Sequence, residues 1–197
     1  MKHNVYIFIG HSGAGKGTQV ALLQKKLQSI DPSIRTYHLE TGSMFRELVQ
    51  KKSFTAQKTK ALMEQGGLPP AFLGVHAWSH RLIEDYDGEQ YVFIDGTPRI
   101  AIEIPALLSA FDFYEWEPHI FFLQVSDEWA YEHLLGRGRP DDTDQHRVWN
   151  RIQWFHENVV PAIESLRDSG KVIFHTIHGE QSIEAVHRDI CEELGLV

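Results

Sequence analysis

Residues Val5–Gln24 are VYIFIGHSGAGKGTQVALLQ, a stretch in which a glycine-rich loop separates an apolar run from an amphipathic one. The loop Gly10–Lys16 has the spacing G-x-x-x-x-G-K, which follows a strand and opens a helix in phosphate-binding proteins. In such a loop, backbone N–H groups point into one concave surface, and the helix N-terminus adds partial positive charge. The stretch therefore predicts a strand, a phosphate-binding loop and a helix, with Lys16 bridging the outer phosphates.

The rest of the chain alternates between strand-like and helix-like patterns. Runs of β-branched and aromatic residues, mostly apolar on both faces as in buried parallel strands, lie at residues 5–9, 34–38, 91–94, 119–125 and 171–176. The alternation predicts an α/β P-loop NTPase fold, with three α/β/α layers around a five-stranded parallel sheet. Two segments depart from it, at about 41–80 and 136–147, and we expect both to be insertions over one edge of the sheet.

Composition limits the classes of protein to which the chain can belong. Its 197 residues, 42% hydrophobic and 23% charged, fit one globular domain. The single cysteine, Cys191, forms no internal disulfide, so a reducing compartment and a cytoplasmic location are expected. The apolar run before Gly10 is too short for a signal peptide or a membrane span. A net charge of -8 argues against nonspecific nucleic-acid binding. We expect neither a membrane nor a nucleic acid as partner.

Four further motifs follow the loop in order. They are HLETGSMFR at 38–46, QGGLP at 65–69, FIDGTPR at 93–99, and the series Arg137, Arg139-Pro140-Asp141-Asp142 and Arg151. With the order GKGT at 15–18, these motifs resemble those of the adenylate kinase family of nucleoside monophosphate kinases. The loop differs from the family pattern at Ser12, where the family has proline, and the resemblance extends over nearly the whole chain.

This resemblance implies a single P-loop kinase domain with three parts. The core would comprise residues 1–40, 81–135 and 148–197. The helical insertion at about 41–80 would bind the monophosphate, and a lid of the short kind would lie at about 136–147. The implied reaction is reversible transfer of the γ-phosphoryl group of MgATP to a nucleoside monophosphate, with Mg²⁺ as cofactor. Because both substrates must be enclosed while water is excluded, the insertion and the lid would move, and we expect a monomer.

The resemblance also implies a role for individual residues. The expected ATP contacts are Gly10, Ser12, Gly13, Ala14, Gly15, Lys16, Gly17, Thr18, His133 and Ile177. The expected monophosphate contacts are Thr41, Gly42, Arg46, Gly67, Pro69, Gly96, Arg99, Glu103, Arg139 and Arg151. The groups expected to stabilise the transferring phosphoryl group are Lys16, Arg99, Arg137, Arg139 and Arg151. Asp95 would orient Mg²⁺ through water, and Asp141 and Asp142 would anchor the closed lid.

Departures from the family pattern leave the acceptor base open. Glu103 stands where the family has a glutamine that binds adenine, and an ionised carboxylate can only accept hydrogen bonds. It would therefore suit guanine better, whereas Thr41 matches the adenine-using relatives. Ser43 replaces the family's aspartate and Pro69 its valine, and both changes are at the acceptor site. AMP is the favoured acceptor, with GMP or a deoxynucleotide as the alternative.

Two other functions compete with monophosphate kinase activity. The chain could be a weakened nucleotide-binding protein that keeps the P-loop but has a changed acceptor site. The retained Lys16, Arg99 and Arg151 favour a kinase, because a pure binder has no need for arginines aimed at the transferring phosphate. A kinase of another small metabolite leaves the segments DGTPR and RPDD unexplained. No pair among the twelve histidines has metal-ligand spacing on one clear face with a carboxylate or cysteine partner, so the sequence predicts no histidine metal site.

Overall fold

The structure, a computed structural model, describes residues 5–65, 67–136 and 144–196. Its strands are β1 Val5–Gly10, β2 Thr36–Glu40, β3 Tyr91–Asp95, β4 His119–Gln124 and β5 Ile173–His178. Its α-helices are α1 Lys16–Ile30, α2 Thr41–Leu48, α3 Phe54–Glu64, α4 Ala71–Asp85, α5 Ile104–Phe113, α6 Asp127–Gly136, α7 Gln145–Trp154, α8 Val160–Asp168 and α9 Ile183–Glu193. A 3-10 turn, Ala101–Glu103, precedes α5, and a π-helical turn, Phe155–Val159, joins α7 to α8.

The five strands form one all-parallel sheet in the order β2-β3-β1-β4-β5, which confirms the predicted fold class. Because parallel strands end at the same edge, the glycine loop after β1 lies beside the carboxyl ends of β3 and β4. This edge is where open α/β sheets bind their ligands. Strands β2 and β5 begin and end two residues later than the sequence pattern predicts.

Alternate residues of β1 face two different cores. Val5, Ile7 and Ile9 pack with apolar side chains of α4, α5 and α8 on one face of the sheet. Tyr6 and Phe8 pack with apolar side chains of α1 and α9 on the other face. Burial on both faces accounts for the unbroken apolar character of this strand and gives the three layers that the sequence predicts.

The predicted monophosphate-binding insertion contains α2, α3 and the first part of α4. Helix α4 continues to Asp85, across the boundary that the sequence suggests at residue 80, and its Leu82 is buried in the core beneath the sheet. Within residues 5–65, 67–136 and 144–196, no helix combines the length and apolar character needed to cross a bilayer.

Candidate active site

The loop between β1 and α1 is shaped by glycines that have positive φ angles. Gly15 has φ +83° in the left-handed region and directly precedes α1. Gly10 has φ +148°, and a Cβ there would lie 2.6 Å from the Leu123 carbonyl oxygen of β4. The Lys16 ammonium folds back over the loop and donates to the carbonyl oxygens of Gly10 at 3.1 Å and His11 at 2.8 Å. The loop therefore closes around its own lysine at the edge of the sheet.

This loop forms one wall of a cleft of about 1010 Å³, at the upper end of the size range of small-molecule sites. The cleft is also lined by residues from the insertion, β3, α6 and α7. The sequence-predicted site residues that line it are Gly10, Ser12, Gly13, Ala14, Gly15, Lys16, Gly17, Thr18, Gly42, Arg46, Pro69, Asp95, Gly96, Arg99, His133 and Arg151. Residues from distant parts of the chain thus share one cavity.

Cationic side chains converge on the part of the cleft that is lined by Gly42 and Gly96. The Arg99 Nε donates to the Gly96 carbonyl at 2.9 Å, and Arg46 pairs with Glu40 at 2.7 Å. A Cβ on Gly42 would lie 3.1 Å from the Arg46 Nη1 and 3.8 Å from the Arg99 Nη2. Glycine at position 42 therefore leaves the space into which both guanidinium groups point.

The electrostatics of Arg99 report the same convergence. Burial lowers its pKa most, and the nearby charges of Arg151 and Arg46 lower it further, while Glu103 and Asp95 oppose the shift. Two carboxyl groups and two further guanidinium groups thus lie near Arg99 inside a partly desolvated cleft. A phosphate is the natural partner for such a cluster, because planar guanidinium groups pair with its oxygens at two points.

Asp95 ends β3 next to the phosphate-binding loop. Its side chain is 9% exposed, and a Cβ on Gly17 would lie 3.4 Å from its Oδ2. The backbone behind it is held by Thr41, whose hydroxyl donates to the Asp95 carbonyl at 3.1 Å and lies 2.7 Å from the Thr97 hydroxyl. Thr41 is 1% exposed and, among the described residues, is not one of those that line the cleft.

Glu103 is also buried behind the wall of the cleft, with 3% exposure. Its Oε1 accepts from the Arg99 backbone N–H at 3.4 Å, and a Cβ on Gly74 of α4 would lie 3.2 Å from the same oxygen. Burial raises the pKa of Glu103, and hydrogen bonds from the Arg99 and Ile100 backbone act in the opposite direction. Its carboxyl group is thus packed between α4 and the turn before α5.

Another part of the cleft is lined by residues of α6 and of the turn before α9. The His133 ring stacks on the Trp129 ring with 3.4 Å between centroids, and its Nδ1 donates to the Trp129 carbonyl at 2.8 Å. Gly179 and Gln181 also line the cleft, and Gly179 N–H donates to the Gln124 carbonyl at 2.8 Å. These contacts present a flat aromatic pair at this end of the cavity.

Four predicted site residues lie in the part of the chain that the structure does not describe: Arg137, Arg139, Asp141 and Asp142. Of the described ones, Thr41, Glu103, Gly67 and Ile177 do not line the cleft. Sequence reasoning missed Trp129 and Gln181, which do line it. Trp129 is the fifth residue after β4, a position at the ligand-binding edge of the sheet that could have marked it.

A histidine cluster was missed as well. His11, Asp127 and His156 bring one ligand atom each within 4.8 Å of one another, although the sequence pattern predicted no such group. The three residues are far apart in the chain and come from the loop, α6 and the π-helical turn. A local spacing rule finds only ligands that are neighbours in sequence, and these are not.

Comparison with known proteins identifies the family. The model of the adenylate kinase family matches residues 8–171. The chain belongs to the adenylate kinase family. It is 30% identical to an adenylate kinase of Prochlorococcus marinus over 192 residues, which cover 97% of this chain and 98% of the relative. It is 29% identical to the adenylate kinase of Trichodesmium erythraeum, with 95% of this chain and 96% of the relative covered. For the adenylate kinase of Flavobacterium psychrophilum, the identity is 27% over 194 residues, with 96% of each chain covered.

Membership of the adenylate kinase family makes the chain a phosphotransferase that acts on nucleotides. Of the described residues, the P-loop, Arg46, Arg99, Arg151 and Asp95 line one cleft.

Proposed function

We propose that the protein transfers the γ-phosphoryl group of MgATP to AMP, reversibly, giving two ADP. The observation that carries the proposal is the convergence of Arg46 and Arg99 on the Gly42 side of the cleft whose other wall is the Lys16 loop. The Lys16 loop would thus bind the triphosphate of the donor, and the Arg46 and Arg99 pair would bind the phosphate of the acceptor. A protein that only binds one nucleotide needs the Lys16 loop but not the arginine pair.

In this proposal the protein acts by positioning and by electrostatic stabilisation. The attacking phosphate oxygen is already ionised, so no general base is required, and charge spread over the transferring group must be neutralised. The loop N–H groups and Lys16 would hold the donor phosphates, and Arg46 would hold the acceptor phosphate. Arg99 and Arg151 would face the transferring group, with Arg137 and Arg139 as the further arginines that the sequence pattern assigns.

The residues around Asp95 suit a magnesium ion that arrives with the nucleotide. Mg²⁺ prefers oxygen ligands and keeps several waters, and the Asp95 carboxylate lies beside the glycine at position 17. A glycine there leaves room between the carboxylate and the loop. Asp95 would hold the water shell of the ion, with Thr18 of the loop as the nearby hydroxyl. The ion would supply neutralisation of phosphate charge.

The setting of Glu103 supports AMP as the acceptor. A carboxylate aimed at a bound base would repel adenine N1, whereas the Glu103 carboxyl group is packed against the Arg99 backbone and Gly74. Burial also raises the pKa of this carboxyl group, which disfavours its charged form at this position. The main objection that the sequence raised against adenine is thereby weakened.

Phosphoryl transfer from MgATP to AMP, GMP, CMP, UMP and their deoxy forms tests the proposal. We expect rapid ADP formation with AMP and a small fraction of that rate with the other acceptors. Lys16→Ala is the blank, and calorimetric ATP binding by the wild type shows that the donor site is intact. Preference for GMP would show that the acceptor is a guanine nucleotide. ATP binding without transfer to any acceptor would overturn the proposal in favour of a nucleotide-binding protein.

A further inference from the structure

Three side chains meet behind the phosphate-binding loop, outside the residues that line the nucleotide cleft. His11 is the second residue of the loop, Asp127 is the first residue of α6, and His156 lies in the π-helical turn. The Asp127 Oδ1 is 3.3 Å from the His11 Nε2 and 2.7 Å from the His156 Nε2. Two imidazole nitrogens therefore approach the same carboxylate oxygen.

This donor set and its spacing suit a tetrahedral metal ion. Zinc binds histidine nitrogen and carboxylate oxygen at about 2.0–2.2 Å, so the donors of a tetrahedral site lie about 3.4 Å apart. The distance from His11 to Asp127 already has this value, and all three ligand atoms fall within 4.8 Å of one another. The shorter contact between Asp127 and His156, at 2.7 Å, is a hydrogen bond that has to lengthen by about 0.7 Å to reach this tetrahedral spacing.

The surroundings of His11 hold its imidazole in place. The residue is 3% exposed, and its ring lies on the Phe155 ring with 3.6 Å between centroids, which fixes the ring orientation. A ligand whose rotamer is already locked by packing loses little side-chain freedom when a metal ion binds.

We propose that His11, Asp127 and His156 form a binding site for one divalent transition-metal ion, of which Zn²⁺ is the representative. His156 is 52% exposed and gives the ion access from solvent. Three protein ligands leave the fourth position to water. The nitrogen-rich set disfavours Mg²⁺, which prefers oxygen, so this site differs in ligand chemistry from the carboxylate at Asp95.

One nearby charge acts against the ion. The Lys16 ammonium donates to the His11 carbonyl at 2.8 Å, so its positive charge lies close to this ligand. We therefore expect weaker binding than at structural zinc sites with four protein ligands. Because the ion and the Lys16 ammonium repel each other, a bound ion would weaken the hydrogen bond from Lys16 to the His11 carbonyl.

Zinc titration of the full-length chain tests the site, after treatment with a chelator and dialysis. The exposed histidines His76 and His80 of α4 are stacked with 5.5 Å between ring centroids and form a competing i,i+4 pair. All titrations are therefore done in a His76→Ala background. Calorimetry with Zn²⁺ alone should give one ion per chain, and excess Mg²⁺ should leave that binding unchanged.

Two substitutions remove one ligand each. His156→Gln changes a half-exposed side chain, and Asp127→Asn keeps the shape of the residue while it removes the charge. Loss of an outer-shell partner weakens metal binding by about 10- to 100-fold. Because each of these residues is a direct ligand, either change should weaken Zn²⁺ binding by more than that. Zn²⁺ should raise the midpoint of thermal unfolding of the His76→Ala protein, and this rise should be lost in both variants. Unchanged affinity in both variants, or no binding in the His76→Ala protein, would show that the three residues form a hydrogen-bonded group only.

Discussion

Glu103 is placed where its charge is unfavourable. The side chain is 3% exposed between α4 and the turn before α5, and burial raises its pKa. A raised pKa means that the folded protein holds this proton more tightly than the unfolded chain does. The stability that depends on it is present below the unfolded pKa and is lost as the pH rises through the folded pKa.

Removing this ionisable group should therefore stabilise the protein at higher pH. In Glu103→Gln, the amide oxygen can still accept from the Arg99 N–H, but no buried charge forms when the pH rises. We expect the midpoint of thermal unfolding of the variant to exceed that of the wild type at neutral pH and the difference to shrink toward acidic pH. Exposed Glu84→Gln in α4 controls for the loss of one negative charge. A difference that grows on acidification would contradict the assigned shift.

The planar guanidinium group of Arg99 makes one hydrogen bond to the backbone and also points into the cleft. Its Nε donates to the Gly96 carbonyl at 2.9 Å while an Nη2 points toward Gly42. A lysine has a single ammonium and cannot do both, so Arg99→Lys should lower kcat by on the order of 10²–10³. Steady-state kinetics with saturating MgATP measure the loss. Arg35→Lys, at an exposed arginine that pairs with Asp87 and Glu89, is the matched control. A kcat within a few-fold of the wild type in both variants would remove Arg99 from the proposed chemistry.

At the scale of elements, the junction between β1 and α1 depends on a left-handed glycine. Gly15 has φ +83°, and a Cβ there meets nothing within 4 Å, so substitution introduces backbone strain without a clash. Gly170, in the turn between α8 and β5, has φ +65° and equally open surroundings. Both positions combine a left-handed backbone with room for a Cβ, and only Gly15 lies in the phosphate-binding loop, which makes them a matched pair.

Gly15→Ala and Gly170→Ala should each cost about 1–2 kcal/mol of unfolding free energy, the penalty for a left-handed residue with a Cβ. Only Gly15→Ala should also weaken ATP binding, because the strain there shifts the N–H groups of the loop. Urea denaturation and calorimetric ATP titration separate the two effects. Equal ATP affinities in the two variants would show that the loop tolerates the change.

The first and last residues of the strands were harder to predict than the presence of the strands. The sequence patterns placed β1, β3 and β4 to within one residue at each end, because apolar character on both faces marks a strand buried in a parallel sheet. β2 and β5 extend two residues further at their carboxyl ends, since pairing of Glu40 with Asp95 and of His178 with Gln124 continues there. Hydrophobic pattern does not report where a partner strand ends.

The π-helical turn was also not predicted, although Pro161 marks it. Proline has no N–H for the helical ladder, and its ring crowds the carbonyl one turn earlier. The wider turn at Phe155–Val159 comes directly before it and carries both Phe155 and His156. The histidine cluster therefore depends on a backbone irregularity in addition to long-range folding, and composition alone signals neither.

For the whole molecule, the sequence predicted the sheet, the family and the loop but not the disposition of every side chain. Fixed-order motifs indicate which residues approach the nucleotides, because they lie at the carboxyl ends of known strands. Glu103 illustrates the limit. Its place in the motif suggested a contact with the base, while packing against Gly74 and the Arg99 backbone holds its carboxyl group behind the cleft wall. This packing depends on Gly74 of α4, which is distant from Glu103 in sequence, so the motif alone does not predict it.

The charge of the cleft contrasts with that of the whole molecule. The chain carries a net charge of -8, yet Lys16, Arg46, Arg99 and Arg151 line one cavity. Inorganic triphosphate should therefore raise the midpoint of thermal unfolding without any nucleoside, by mass action on the folded state. Sodium chloride at equal ionic strength should give a smaller rise, because simple screening lacks the bidentate contacts. The same rise with both salts would show that the cluster has no specific affinity for phosphate. Differential scanning fluorimetry measures the midpoint of thermal unfolding in each salt.

The burial of Arg99, which lowers its pKa, has an evolutionary consequence. A residue proposed to act in phosphoryl transfer is also one whose replacement removes a desolvated charge from the folded protein. Selection for heat resistance in the absence of substrate would thus be drawn toward the cleft, and the variants that it enriched would survive heating while losing activity. Directed evolution of this chain would need a turnover screen at every round, since stability and function make opposite demands on the same few positions.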